Sequence, residues 1–254
     1  MANYLNMIRA GVAAVMMSIS GAAMAASASV VLVHGAFSDG SAWNKVIPIL
    51  QDAGVSVSAA QLNLASLKDD AATVKRLVEL QDGPVVLVGH SYGGNVITEA
   101  GAHGKVERLV YVAGFALDVG QSLAALSKGR PAAPWQAEVY RDSDGYLRLT
   151  PTGISKFFAT DLPAKETAVM AVTQGPLKYD TNHDAPTVAA WSQKPSSYIV
   201  AENDQIISPK VQLYFAKKMK AEITKLPSSH VAMLSQPEAV AQVILKAVKA
   251  ASED

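Results

Sequence analysis

Residues 85–96 read VVLVGHSYGGNV. A β-branched run stops at Gly89, a hydroxyl stands at Ser91 between His90 and Tyr92, and Gly93 and Gly94 follow before a helical pattern from Asn95 to Ala102. A short apolar run of this kind suits a strand buried on both faces of a parallel sheet. Gly89-His90-Ser91-Tyr92-Gly93 is therefore G-x-S-x-G placed between a strand and a helix. That context is what a nucleophile elbow requires: a sharp turn lifts the serine clear of the sheet, and its flanks stay small because neighbouring backbone comes close. Ser91 is the candidate nucleophile, and its place at a helix start sets free N–H groups and the helix dipole towards developing negative charge. The bland alternative is a glycine-rich turn whose serine caps the helix. A dinucleotide loop needs glycine where His90 and Ser91 stand.

Working outward, Val30 to His34, Val106 to Val112, Ser197 to Ala201 and Glu222 to Leu226 are further strand candidates, with an apolar alternation at Val55 to Ala59. Helical patterns fall at Leu67 to Leu80, Pro209 to Met219 and Pro237 to Ala250. Short strands alternating with helices predict an α/β fold with a doubly wound, mostly parallel sheet. One stretch breaks the alternation. Asp118 to Gln193 is rich in Pro, Gly, Asp and Ser and holds no run resembling a sheet strand, so it reads as a small cap insertion, about 118–193.

The chain has 254 residues, half of them apolar, enough for one large core in a single domain. Lys and Arg total 22 against 22 Asp and Glu, and no basic run appears, so charge gives no reason to expect nucleic acid or an anionic membrane as partner. A small, neutral or apolar molecule is the expected ligand. Residues 1–25 form a separate segment: Arg9, an apolar stretch from Ala10 to Ile19, then Ala23-Met24-Ala25 in A-x-A form. This reads as an export signal cleaved after Ala25, which leaves 26–254 as the domain and predicts a periplasmic or secreted protein. An uncleaved anchor is the alternative, although the apolar stretch falls short of the ~20 residues that span a bilayer. With no cysteine, the exported domain would depend on its size rather than on disulfides.

A serine hydroxyl needs a base, and the elbow machinery runs serine, acid, histidine along the chain. Of five histidines, His34 and His90 flank the strand-end glycines as scaffold, His103 lies in a glycine-rich helix end and His183 in the cap. His230 follows the last strand candidate on a loop before the final helix, and is the expected base. Asp204 follows the penultimate strand candidate and is the expected acid, with Glu202 and Asp118 as alternatives. The oxyanion hole is expected from the N–H of Tyr92 and that of Ala36, or else Phe37, in the turn after the first strand. Trp135, Tyr140, Phe157, Phe158 and Trp191 are candidate substrate-pocket walls, although aromatics in an insertion often form its own small core.

VLVHGAFSDGSAW, SLKDDAATVKRLVELQDGPVVLVGHSYGGNVITEAG, LVYVAGFALDVGQSL and LPSSHVAMLSQPEAVAQVI together resemble α/β-hydrolases. More narrowly, they are similar to bacterial relatives of the plant methylesterase and hydroxynitrile lyase family. The resemblance implies an ester hydrolase with Ser91, Asp204 and His230 as triad and with no metal or cofactor. The lyases carry a threonine where Gly35 stands and a lysine where Val231 follows His230, so ester hydrolysis is the preferred expectation over lyase chemistry. Lactonase or acyltransferase activity would use the same triad. A non-catalytic binding module on this fold remains the reading from another class, since a fold alone does not imply chemistry.

Overall fold

A computed structural model of the chain describes residues 27–253. The expected export signal lies outside the described residues. The strands are β1 Ser29–Val33, β2 Val57–Ala59, β3 Val85–His90, β4 Val106–Val112, β5 Val139–Arg141, β6 Tyr146–Leu149, β7 Leu177–Lys178, β8 Ser196–Ala201 and β9 Glu222–Leu226. The principal helices are α1 Ile47–Asp52, α2 Leu67–Glu79, α3 Tyr92–Ala100, α4 Leu123–Ser127, α5 Ala164–Thr173, α6 Pro209–Lys218 and α7 Pro237–Glu253.

Six strands form one sheet in the order β2-β1-β3-β4-β8-β9, parallel at every pairing. Every residue of β1 and β3 is buried, which explains their unbroken valine-rich runs: a strand covered on both faces has no side to leave polar. The covering helices bury one stripe each. In α2 the buried residues are Leu67, Asp70, Ala71, Val74 and Val78, and in α7 they include Val240, Ala241, Ile244, Ala247, Val248 and Ala251, both at helical spacing. Ser66 starts α2 by accepting a hydrogen bond from Asp69 N at 3.1 Å.

The chain runs from β1 outwards to β2, returns to β3 beside β1, and then proceeds the other way through β4, β8 and β9. The loops leaving β1 and β3 therefore diverge and open a crevice at the carboxyl ends of the strands, where doubly wound sheets place their ligands. All the loops that carry candidate residues, after β1, β3, β8 and β9, end on that edge.

Two sequence expectations require correction. Gly93 and Gly94 lie inside α3, which begins at Tyr92 rather than Asn95. They are small because α3 lies against the backbone leaving β1 and β4: a Cβ at Gly93 would meet the His34 carbonyl oxygen at 2.5 Å. The cap, expected to hold no strands, contains a three-stranded antiparallel sheet, β5-β6-β7. Its hairpin is closed by Asp142, whose Oδ1 accepts from Asp144 N at 3.0 Å and Tyr146 N at 2.8 Å, and by Gly145 at φ +84°. With strands of two to four residues, the cap sheet has no β-branched run to announce it.

Candidate active site

Ser91 occupies the one position between β3 and α3, with φ 53° and ψ −120°, a conformation a side chain rarely adopts. Packing enforces it. A Cβ at Gly89 would lie 2.5 Å from Gly93 O, so strand and helix approach too closely for a relaxed turn. Ser91 O accepts from Gly94 N and Phe115 N, each at 3.0 Å, which fixes the turn from both sides. Ser91, Tyr92, Ala36 and Phe37 all line one cavity of about 430 Å³ beneath the cap. Tyr92 is the first residue of α3, so its N–H has no acceptor within the helix. Phe37 has φ 57° and also borders a second cavity, of about 320 Å³, between the β1 loop and α5.

The loops after β8 and β9 bring Asp204 and His230 together. His230 Nδ1 lies 2.6 Å from Asp204 Oδ2, with both side chains buried. The Asp204 carboxylate is saturated: Oδ1 accepts from Ile206 N at 2.7 Å and Ile207 N at 3.0 Å, and Oδ2 also accepts from Gln212 Nε2 at 2.7 Å. An acceptor-only carboxylate fixes His230 with its proton on Nδ1 and a lone pair on Nε2. That Nε2 is buried and makes no hydrogen bond among the described residues. The alternative acids are engaged elsewhere, Asp118 with Lys218 at 3.1 Å and Glu202 with Lys225 at 3.6 Å.

The other strand-end histidines are structural. His90 sits ring to ring with His230, centroids 4.7 Å apart, and its Nε2 lies 2.9 Å from His230 O. Burial, reinforced by the neighbouring His230, holds the His90 pKa well below the usual histidine range, so it donates to that carbonyl as a neutral ring. His34 accepts from Leu62 N at 3.0 Å through Nε2 and donates from Nδ1 to Gly35 O at 2.8 Å, again lowered by burial.

The cap aromatics divide. Trp135 and Phe158 line the cavity, and the Phe158 ring meets His230 edge-on at 5.0 Å. Tyr140, Phe157 and Trp191 are not among the lining residues. Alternation along β5 turns Val139 and Arg141 to the cavity and leaves Tyr140 61% exposed. Phe157 is half-buried one residue off the lining position of Phe158. Trp191 donates Nε1–H to Leu117 O at 3.0 Å and stacks under Lys218, pinning the end of the cap to its beginning.

Three polar residues that sequence reading passed over complete the site. Gln212 holds Asp204 from α6, and its Oε1 accepts from Ala201 N at 2.9 Å. Asp161 in the cap accepts from both Ser229 N, at 2.7 Å, and Ser229 Oγ, immediately before His230. Asp70 on the buried stripe of α2 accepts from Tyr92 Oη at 2.9 Å and Leu64 N at 3.0 Å. Burial raises the Asp70 carboxyl to about 6, and burial together with that carboxylate drives the Tyr92 phenol upwards. The available signal was Asp70's place on an apolar helix stripe; nothing comparable marks Gln212 or Asp161. Among the described residues, no cluster of three His, Cys, Asp or Glu is placed to hold a metal ion.

A model of the Alpha/beta hydrolase family matches residues 30–243. An alpha/beta hydrolase of Aspergillus novofumigatus is 30% identical over 66% of this chain and 72% of its own length. Methylesterase 2 of Arabidopsis thaliana is 26% identical over 85% of this chain and 94% of its own length. The crystal structure of a pyrethroid hydrolase superimposes with a TM-score of 0.79 at 22% identity, covering 90% of this chain and 100% of the other. That of polyneuridine aldehyde esterase gives 0.76 at 21%, covering 87% and 99%. With a family match over most of its length and relatives that are hydrolases and esterases, this chain belongs to the alpha/beta hydrolase family.

Proposed function

We propose that the protein is a serine carboxylesterase that hydrolyses small carboxylic esters, methyl and aryl esters among them, through an acyl-enzyme on Ser91. The observation that carries this reading is the buried His230–Asp204 pair at 2.6 Å, with an unpartnered Nε2, on the same sheet edge as a strained, cavity-lining serine. His230 Nε2 takes the Ser91 proton as Oγ bonds to the ester carbonyl carbon. The N–H groups of Tyr92 and Ala36, with Phe37 as the alternative, hold the oxyanion. Collapse expels the alcohol, which takes the proton from His230. Water then gives a proton to His230 and attacks the acyl carbon, releasing the acid and restoring Ser91. Asp204 accepts the Nδ1–H throughout and stabilises the imidazolium.

Hydroxynitrile lyase chemistry is the second reading. Val231 supplies no polar group, and a Cβ at Gly35 would come 2.7 Å from Ser91 Cβ, so this backbone has no room for the lyase threonine. Lactonase and acyltransferase activities differ only in the acyl acceptor or ring closure. A p-nitrophenyl ester series from acetate to palmitate, with methyl aryl esters beside it, tests the reading. Fastest turnover on short acyl chains is expected from a cavity of about 430 Å³; a maximum on palmitate contradicts it. We also propose export with cleavage after Ala25, for which the support is the Arg9, apolar and Ala23-Met24-Ala25 pattern. N-terminal sequencing of the protein outside the cytoplasm should begin at Ala26, and recovery of full-length chain only from the cytoplasm contradicts it.

A further inference from the structure

Among the described residues, the wall of the cavity above Ser91 contains a single charged side chain. Ser127, Gln136 and Asn182 contribute neutral polar groups and the remainder is mostly apolar, but Arg141 carries a full positive charge. Its position is built rather than incidental. Arg141 ends β5, paired with Leu147 of β6, and alternation along the strand turns it with Val139 to the cavity side.

Arg141 is exposed at the cavity, and its guanidinium packs against two neighbours. Its Cζ lies 4.2 Å from the centroid of the Tyr179 ring, a cation–π contact. Against it lies Gly145, where a Cβ would stand only 3.4 Å from Nη2, so the bare backbone gives the group its space. Neither surface uses up the planar fork of N–H donors. Among the described residues no carboxylate forms an ion pair with Arg141. The adjacent Asp142 spends its Oδ1 on the hairpin N–H groups of Asp144 and Tyr146. In the same wall, the Trp135 Nε1–H is buried and has no acceptor among the described residues.

A guanidinium fork matches a carboxylate in two parallel hydrogen bonds, and the ring face of Tyr179 limits the directions in which this one can point. We propose that the substrate ester carries a carboxylate at the end remote from its scissile carbonyl, as in a half-ester of a dicarboxylic acid, and that Arg141 binds it. This rests on the esterase reading above and narrows it from small esters in general to anionic ones.

The test compares two charged and neutral pairs. Mono-p-nitrophenyl glutarate against p-nitrophenyl valerate places the carboxylate on the acyl side; 4-acetoxybenzoate against phenyl acetate places it on the leaving group. The readout is the charged-to-neutral ratio of kcat/KM in the wild type, Arg141→Gln and Arg141→Lys. For at least one pair the ratio should fall roughly tenfold in Arg141→Gln, chiefly through KM, and be partly kept by Arg141→Lys. Calorimetric titration of the Ser91→Ala protein with monomethyl glutarate should show binding that weakens about tenfold on adding Arg141→Gln. If no ester is hydrolysed but that binding still depends on Arg141, the esterase reading fails and the anion site stands. If esters are hydrolysed with an unchanged ratio in both pairs, and the titration does not respond to Arg141, the anion site is overturned.

Discussion

Asp204 at the sheet edge and Arg141 across the cavity are fixed in different ways. The carboxylate is buried and receives hydrogen bonds from Ile206, Ile207, Gln212 and His230, all within the two loops and one helix that close the parallel sheet. The guanidinium rests on a ring face and a short hairpin in an insertion. The cap in turn is joined to the body by side-chain links: Asp184 to Leu67 N at 2.8 Å, Glu99 to Thr187 N at 2.6 Å, Lys218 to Asp118, and Asp161 to Ser229. In the proposed reading, the groups that meet the reacting atom stand on the sheet and the group that selects among substrates stands on the cap, where a changed side chain leaves the sheet intact.

That contrast predicts a gradient of effects. The largest lies at the sheet edge. Ser91→Ala and His230→Ala should each lower kcat by on the order of 10⁴- to 10⁶-fold, with the double variant little worse than either, because the residues act as a unit. Steady-state kinetics on p-nitrophenyl acetate measures this, and additive losses would break the account.

Next comes the support of the acid. Gln212→Leu leaves Asp204 Oδ2 with one donor fewer and Ala201 N without its acceptor. A loss of about 10- to 100-fold in kcat, with KM little changed, is expected, and Gln212→Glu should not rescue it because a second carboxylate would face Asp204. A pure KM effect would move Gln212 from positioning to substrate binding.

Weaker still is the link from cap to base. Asp161→Ala removes both acceptors of Ser229 and should lower kcat severalfold with KM little changed, since the His230 loop loses its tie to the cap. An unchanged kcat in steady-state kinetics would mean that the cap does not set the geometry of the His230 loop.

The smallest effect on catalysis, but a distinct one on stability, belongs to Asp70. Its carboxyl is raised to about 6 in the folded protein from an ordinary 3.8, so the fold prefers the neutral acid. The sign follows: the contribution is full below about pH 4 and is lost as pH rises through about 6, an amount of about 3 kcal/mol at 1.36 kcal/mol per unit. Asp70→Asn, which never ionises, should gain on the wild type by up to that amount between pH 4 and pH 7 in urea unfolding. A constant gap between the two proteins would show that the carboxyl is not destabilised by burial.

The same division explains which features are legible in the sequence. Runs such as Val85 to Val88 are legible because a strand covered on both faces permits nothing polar, and Ser91 stands out because it follows such a run, Asp204 because it follows the apolar end of β8, and His230 only by its place on the loop after the largely exposed edge strand β9. The close approach expected beside Ser91 is present at Gly93, against the His34 backbone; only the helix start differs, because a pair of glycines reads equally as turn or as helix until the backbone at His34 and Phe115 is known. The cap sheet had a signal, Asp144-Gly145 between short alternating stretches, but three residues of β5 cannot outweigh their polar surroundings. Gln212 and Asp161 were unreadable for another reason. A polar residue on a helix or loop looks like solvated surface until its partner, which belongs to another element, is known.

The central claim is that Ser91 attacks while His230 takes its proton. A fluorophosphonate probe, which reacts only with an activated serine, tests it directly by intact-mass and peptide mass spectrometry. The account predicts stoichiometric labelling of the Ser91 peptide, abolished in Ser91→Ala and slowed by orders of magnitude in His230→Ala. A native protein that stays unlabelled, or labelling that persists in Ser91→Ala, would contradict it.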